Sequence, residues 1–222
     1  MWNSGWNNVF KNNKWGKYPG EELVRFIARK YYQVPNRKDI KILELGCGTG
    51  ANIWFMAREG FSVTGIDGSA VALEIAEKRM QRNKLDVKLT QGDIMMLPFD
   101  DESFDCIIDV ECLYANSLED SKIILNEVYR VLKKGGWFYS KTFSTGMSGE
   151  ETAVKLDGER FTYVEMPDGP LRNDYGIIRL TDENEILKLY SNFSNLQYDY
   201  IIRSDSDREK YIKEWIISVR KQ

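Results

Sequence analysis

The residues of this chain placed to do chemistry are four carboxylates and a run of glycines. Glu44 is followed at alternate positions by Gly46, Gly48 and Gly50, with Cys47 and Thr49 between them. Asp67, Asp93 and Asp109 each stand at or just past the end of a short apolar or alternating run. The run that closes at Leu45 reads as a strand, and residues 51–58 read as a helix, so the glycines form a strand-to-helix turn. Glycine reaches positive φ and leaves the backbone bare to a ligand. The first N–H groups of the following helix then face whatever sits in the turn. For the glycines alone, a tight turn that holds no ligand is the alternative. Asp67 lies 21 positions after Gly46, a separation that suits a carboxylate accepting hydrogen bonds from a ribose diol. Asp93 is then placed to meet an adenine amino group, with Ile94 against the ring. Each acid alone is a turn residue or a helix cap. Four acids at four successive strand ends are harder to explain that way.

The elements that must position them alternate. From residue 40 the chain reads as strand (40–45), helix (50–58), strand (61–66), helix after Ser69, strand (86–91), strand (104–110), helix (118–134) and strand (137–143). Gly135-Gly136 would stop the long helix, with Lys133-Lys134 at its negative end. Such alternation predicts a parallel sheet covered by helices on both faces. Residues 196–203 and 211–220 follow each other without a helix and should pair as a hairpin. The expected fold is therefore α/β, a Rossmann-like doubly wound sheet of seven strands, mostly parallel, with one antiparallel strand in a C-terminal hairpin. Ligands of such sheets sit at the carboxyl ends of the strands.

With 222 residues, 42% of them hydrophobic, the chain is expected to form one domain, residues 1–222. Residues 1–39 form an aromatic arm and a helix opened by Pro19, and residues 40–143 the cofactor-binding core. Residues 144–175 form a lid-like insertion, and residues 176–222 a helix capped by Thr181 and the hairpin. The net charge of −3 argues against nucleic acid as a partner. There is no histidine, which excludes Ser-His and Cys-His nucleophile systems. Three unpaired cysteines give no zinc or disulfide pattern, and no metal site is expected. No apolar run spans a bilayer, so the expectation is a cytoplasmic protein without a membrane partner.

The chain resembles the class I S-adenosylmethionine-dependent methyltransferases over residues 20–220. Residues 42–50 match the family's E/D-x-G-x-G-x-G motif. Residues 63–67 match the second strand and its ribose-binding acid. Gly92-Asp93-Ile94 with Leu97-Pro98-Phe99 matches the adenine-binding segment, and residues 104–109 match strand four. Residues 127–136 match the helix and double glycine before strand five. The resemblance implies S-adenosylmethionine as cofactor, held by Tyr18, Glu44, Gly46, Cys47, Gly48, Gly50, Asp67, Gly68, Asp93, Ile94 and Asp109. It also implies transfer of a methyl group to a small-molecule acceptor, and a faint likeness to surface-glycan methyltransferases points to a sugar or glycan precursor. Because Gly46–Ala51 also satisfies G-x-G-x-x-G/A, an NAD(P)-dependent oxidoreductase is the rival, and a non-catalytic S-adenosylmethionine-binding module is a third class. Glu44 favours the sulfonium cofactor, whose amino-acid moiety carries an ammonium group.

An acceptor hydroxyl or ammonium has to lose a proton, and without histidine the base is Asp, Glu, Tyr, Lys or solvent. Asp109, Glu111 and Tyr114 are the candidates just past strand four. The alternatives are that Asp109 only touches the cofactor and Tyr114 only packs. Asp109-x-Glu111 as a magnesium pair is weakly supported. The two irregular segments, 1–19 and 144–175, are expected to be lids. They would bring Trp6, Phe10, Trp15 and Tyr18 from one side and Phe161, Tyr163 and Tyr175 from the other, with Tyr18 nearest the cofactor. Asp67 is expected in a surface turn whose substitution the fold survives.

Overall fold

The computed structural model describes residues 3–172 and 176–222. Within the main sheet, β1 (Lys41–Leu45) is the strand that carries Glu44. It lies parallel between β2 (Ser62–Asp67) and β4 (Phe104–Val110). The full order is β3-β2-β1-β4-β5-β10-β9, with β3 (Val87–Gln91) at one edge and β9 (Ser194–Asp205) at the other. β5 (Leu132–Phe143) runs parallel to β4. β10 (Lys210–Arg220) is the reversed strand and pairs antiparallel with both β5 and β9. The hairpin expected at the C-terminus is therefore present, and it extends the sheet.

Side chains of β1 alternate between two cores, as a strand buried on both faces requires. Leu43 and Leu45 join Ile66, Ile107 and Val128 on one face, the last from α5 (Leu118–Val131). Ile42 joins Ile53, Met56, Phe26 and Ile27 on the other, from α3 (Ala51–Arg58) and α2 (Glu21–Tyr31). The remaining helices are α1 (Gly5–Asn12), α4 (Ala70–Asn83) and α6 (Glu183–Leu189). Ser69 caps α4 as expected, its side chain accepting the Ala72 N–H at 3.1 Å.

Several boundaries differ from the sequence reading. Pro19 lies one position before the cap of α2, which is Gly20. Asp182, not Thr181, caps α6, by accepting the Glu185 N–H at 2.8 Å. Thr181 is held instead by the Trp215 indole N–H, which donates to its carbonyl at 2.8 Å. The long helix stops at Val131, so Lys133 to Gly136 belong to the strand side of the turn. Two backbone bonds explain this: Gly135 N–H donates to Lys221 O at 2.9 Å and Lys221 N–H to Gly136 O at 3.1 Å. A register shift between Phe104 and Cys106 absorbs the extra residues. Residues 144–175 are not irregular throughout. β6 (Val154–Lys155), β7 (Thr162–Glu165) and β8 (Ile178–Arg179) make a small antiparallel sheet. Beneath it Tyr163, Met147, Met166 and Leu180 form a third apolar core with Tyr114 and Phe143.

The loop between β3 and β4 is tied to α5 by two side chains, Arg130 and Glu127. Arg130 donates to Phe99 O at 2.7 Å, to Leu97 O at 2.9 Å and to Glu127 Oε1 at 2.8 Å. Glu127 completes the clasp by accepting the Leu97 N–H at 2.8 Å. Hydrogen bonds to a charged group are worth about 1.5–3 kcal/mol each when lost in a packed setting. Partial exposure of this clasp brings the expected cost of Arg130→Leu to about 2 kcal/mol in all. For a chain of this size that lowers the melting temperature by about 4–8 °C. Thermal unfolding followed by circular dichroism checks this, and an unchanged melting curve would show that the loop does not depend on the clasp.

Candidate active site

The turn after β1 is built so that backbone lies close to a cavity. Gly46, Gly48 and Gly50 all take positive φ, at 58°, 51° and 84°. At Gly46 a Cβ would overlap the Cys112 side chain, so only glycine lets the turn after β4 approach here. The Cys47 N–H donates to Ile66 O at 3.0 Å, which ties this turn to the end of β2.

Asp67 locks the two turns together. Its Oδ2 accepts the Gly48 N–H and its Oδ1 the Ser69 N–H, both at 2.8 Å. The residue is buried, only 5% exposed, so the expectation of a surface turn is corrected. Burial pushes its pKa up, while the two backbone bonds hold it down. Glu44 is the other buried acid. Its Oε1 accepts the Asn52 side-chain amide at 2.6 Å. Its Oε2 is buried with no hydrogen-bond partner. Burial, first, and the charges of Asp67 and Asp109 push the Glu44 pKa up to about 8, against the bonds from Asn52 and the Ile53 backbone.

A cavity of about 420 Å³ opens over these groups. Of the cofactor residues expected from the sequence, Tyr18, Glu44, Gly46, Cys47, Gly48, Asp67, Gly68, Asp93 and Ile94 line it. Two expected residues do not. Gly50 turns toward Met80 and Ala76, where it lets α3 and α4 pack. Asp109 is completely buried and spends its oxygens on the protein: Oδ1 accepts the Cys112 and Leu113 N–H groups at 3.0 Å, and Oδ2 the Ser140 hydroxyl at 2.6 Å. It is therefore the cap of the turn after β4, and burial pushes its pKa up to about 6. Glu111 and Tyr114 do line the cavity. Glu111 binds the Lys141 ammonium at 2.9 Å, so it does not share a cation site with Asp109.

The N-terminal arm covers the opening. α1 carries Trp6 and Phe10, which pack with Trp15 at ring-centre distances of 6.0, 5.1 and 6.4 Å. The Phe10 ring lies 3.5 Å from where a Gly48 Cβ would stand. Asn7 Oδ1 accepts the Ser69 hydroxyl at 2.7 Å, fastening the arm to the cap of α4. Tyr18 is 72% exposed and meets Trp54 edge-on at 5.6 Å, which places it at the rim. Among the described residues of 144–175 none lines the cavity. Tyr163 is buried in the third core, with its hydroxyl donating to Glu150 at 2.7 Å, and Phe161 packs against the same core. Tyr175 lies outside the described residues. Sequence reasoning missed Asn52, which fixes Glu44, and Lys141. Asn52 was within reach, eight positions after Glu44 on the first turn of α3. No local pattern marked Lys141.

Asp67→Ala would leave the Gly48 and Ser69 N–H groups without their partner. An unsatisfied buried donor costs about 1–3 kcal/mol, and relief of burying the carboxylate offsets part of this. The expected net loss is about 2 kcal/mol, read as a lower urea midpoint with an unchanged slope. Unchanged stability would mean that the bonds are replaced by water.

The residues fit an adenosine-type ligand that carries an ammonium group, because Glu44 offers a buried carboxylate oxygen with no other partner. Comparison with known proteins agrees. A family model described as a methyltransferase domain matches residues 42–136. A sterol 24-C-methyltransferase of Neurospora crassa is 33% identical over 142 residues, covering 60% of this chain and 36% of that protein. A demethylmenaquinone methyltransferase of Tropheryma whipplei is 43% identical over 97 residues, covering 43% and 38%. A fatty-acid O-methyltransferase of Mycolicibacterium smegmatis is 32% identical over 123 residues, covering 53% and 43%. The chain thus spans about two fifths of the length of the curated relatives it matches. An S-adenosylmethionine-dependent methyltransferase of Methanosarcina mazei has the same fold, with a TM-score of 0.70 at 23% identity over 88% of this chain and 97% of that one. One from Clostridium acetobutylicum gives 0.67 at 18% identity over 96% and 94%. With the five motif segments in order and the sheet order β3-β2-β1-β4-β5-β10-β9, residues 42–136 are a domain of the class I S-adenosylmethionine-dependent methyltransferases.

Proposed function

We propose that this chain moves the methyl group of S-adenosylmethionine to a small-molecule acceptor with an apolar body. The observation that carries the reading is the unpartnered Glu44 oxygen in the cavity wall. It suits the ammonium of the cofactor's amino-acid end. The remaining lone pairs of Asp67 suit the ribose hydroxyls, and Asp93 and Ile94 suit the adenine. A nicotinamide dinucleotide would instead bring a pyrophosphate beside Glu44 and Asp67, where like charges repel. When bound, S-adenosylmethionine supplies a methyl group on a positively charged sulfur, already activated for transfer.

The chain's own work is then to hold, align and dry the reactants. Alignment alone supplies about 7–11 kcal/mol in well-oriented reactions. Trp6, Phe10 and Trp15 keep water from the opening, and aromatic faces attract a sulfonium as they attract ammonium groups. The same rings favour an acceptor with an apolar body. The relatives' names, which refer to a sterol, a demethylmenaquinone and a fatty acid, lean the same way. A sugar or glycan precursor offers acceptor hydroxyls but little apolar surface to these rings, so it stands second. No described helix is long and apolar enough to cross a membrane.

Calorimetry tests the cofactor. S-adenosylhomocysteine is expected to bind at micromolar levels and NAD and NADP not at all, and the reverse would overturn the reading. The pH dependence is specific. In the free protein Glu44 has its pKa pushed up to about 8, and it must ionise to meet an ammonium. Binding therefore releases a proton below that pH. Affinity should rise between about pH 6 and 8, by up to about tenfold per unit, and then level off. Glu44→Gln should bind more weakly and lose this slope. A slope that persists in Glu44→Gln would move the linkage to another group.

A further inference from the structure

Beyond Glu44 and Asp67 the cavity continues to a second polar cluster that the cofactor reading leaves unused. Glu111, just past β4, Lys141 on β5 and Glu214 on β10 meet there. Lys141 Nζ lies 2.9 Å from Glu111 Oε1 and 2.8 Å from Glu214 Oε1. Arg203 of β9 stands behind, 3.5 Å from Glu214 Oε2. Glu214 is 1% exposed, and Lys141 is largely buried. Glu111 and Lys141 both line the cavity, and Glu214 does not.

The backbone is bent to bring Glu111 here. Its φ is +57°, a left-handed conformation that residues with a side chain rarely adopt. The Glu111 N–H donates to Lys141 O at 2.8 Å, so the bend and the ion pair involve the same two residues. Strained positions of this kind gather at functional sites. If the adenosine end occupies the wall of Asp67 and Asp93 and the ammonium meets Glu44, Glu111 and Lys141 form the polar wall that is left. Tyr114 and the arm rings supply apolar surface beside it.

We propose that Glu111 and Lys141 form the acceptor subsite, that it takes an uncharged hydroxyl on an apolar or aromatic body, and that Glu111 receives the hydroxyl proton. This rests on the methyltransferase reading above. The charges select the class. A carboxylate acceptor would face Glu111 and Glu214, and an ammonium would face Lys141 at the same distance. A neutral hydroxyl donates to Glu111 and accepts from Lys141 at once. In the transfer the acceptor oxygen gains the methyl carbon, the carbon–sulfur bond breaks with its electron pair kept by sulfur, and the hydroxyl proton ends on the Glu111 carboxylate. Glu214 is a positioning residue, because it holds Lys141 against Glu111.

Proton affinity at Glu111 supports the assignment. Burial raises it, and the Lys141 charge opposes this, while Glu214 raises it further. Glu214 is held low despite its burial, by its bonds to Glu111 and Lys141 and by the Lys141 and Arg203 charges. Of the two acids, Glu111 is therefore the one that holds a proton more firmly. The buried Tyr139 hydroxyl on β5 also faces this region, and its own acidity is weakened by burial and then by Glu22 of α2, Asp109, Glu214 and Glu111.

Three probes of similar shape test the subsite: 2-naphthol, 2-naphthylmethylamine, whose alkylamine is protonated at neutral pH, and 2-naphthoate, titrated into protein saturated with S-adenosylhomocysteine. 2-Naphthol is expected to bind at least about tenfold more tightly than the other two. Its absorption should shift to the red as its proton is drawn to Glu111, a signal that needs no turnover. Glu111→Gln should abolish the shift and the preference while S-adenosylhomocysteine still binds. Glu214→Gln should keep the shift but move its onset to lower pH, since Glu111 then loses a like charge. Preference for naphthoate or naphthylmethylamine, or a shift unchanged in Glu111→Gln, would overturn the subsite with the cofactor reading intact. Failure of the wild-type protein to bind S-adenosylhomocysteine would overturn both.

Discussion

The Asp67 carboxylate is the contact on which the site depends. It accepts one backbone N–H from the turn after β1 and one from the turn after its own strand. Burying a carboxylate is costly unless hydrogen bonds replace its water. Here the replacements come from two separate turns, so satisfying one charge fixes both in space. Gly48 N–H reaches Asp67 because Gly46 and Gly48 turn left-handed, and because Gly46 has no Cβ the Cys112 side chain can pack against that turn. The turn after β4 is tied in the same way by Asp109. Each strand end is therefore held by the acid it carries or by its neighbour's.

The βα rhythm was legible in the sequence because it is local. Strands 61–66 and 104–110, the Ser69 cap and the reversed hairpin strand all follow from periodicity and turn residues. The crevice was legible too, since a parallel sheet sends its strand ends the same way. What could not be read was the direction of each side chain once there. Asp67 and Asp109 both end strands, yet one faces the cavity and the other is consumed by Cys112, Leu113 and Ser140. A sequence shows a carboxylate but not which N–H groups will claim it.

Distance along the chain hid the rest. The cluster of Glu111, Lys141 and Glu214 draws on three strands, and its members meet only because β10 returns antiparallel beside β5. The same holds for Lys133 to Gly136, which look like a helix end until Lys221 supplies their backbone partners. Among the described residues of the two segments outside the rhythm, only those of the arm reach the cavity. Phe161 and Tyr163 are spent on a core of their own, because a small sheet must bury one face. Both segments are rich in aromatics, so composition could not separate them.

The acids differ in what they do because their surroundings differ, and pairs driven apart in this way mark the roles within a site. Asp109 is buried deeply, but three protein donors serve it, and its pKa is pushed up to about 6. Glu44 has the Asn52 amide and the Ile53 backbone as donors, yet its Oε2 has no partner, and its pKa is pushed up to about 8. The difference follows from hydrogen-bond supply. A carboxylate that the protein satisfies is structural. One that the protein buries and leaves half served is neutral while empty and gains most from a cation that arrives with its own N–H groups. The burial that weakens Glu44 as an acid in the free protein thus makes an ammonium ligand the partner that relieves it.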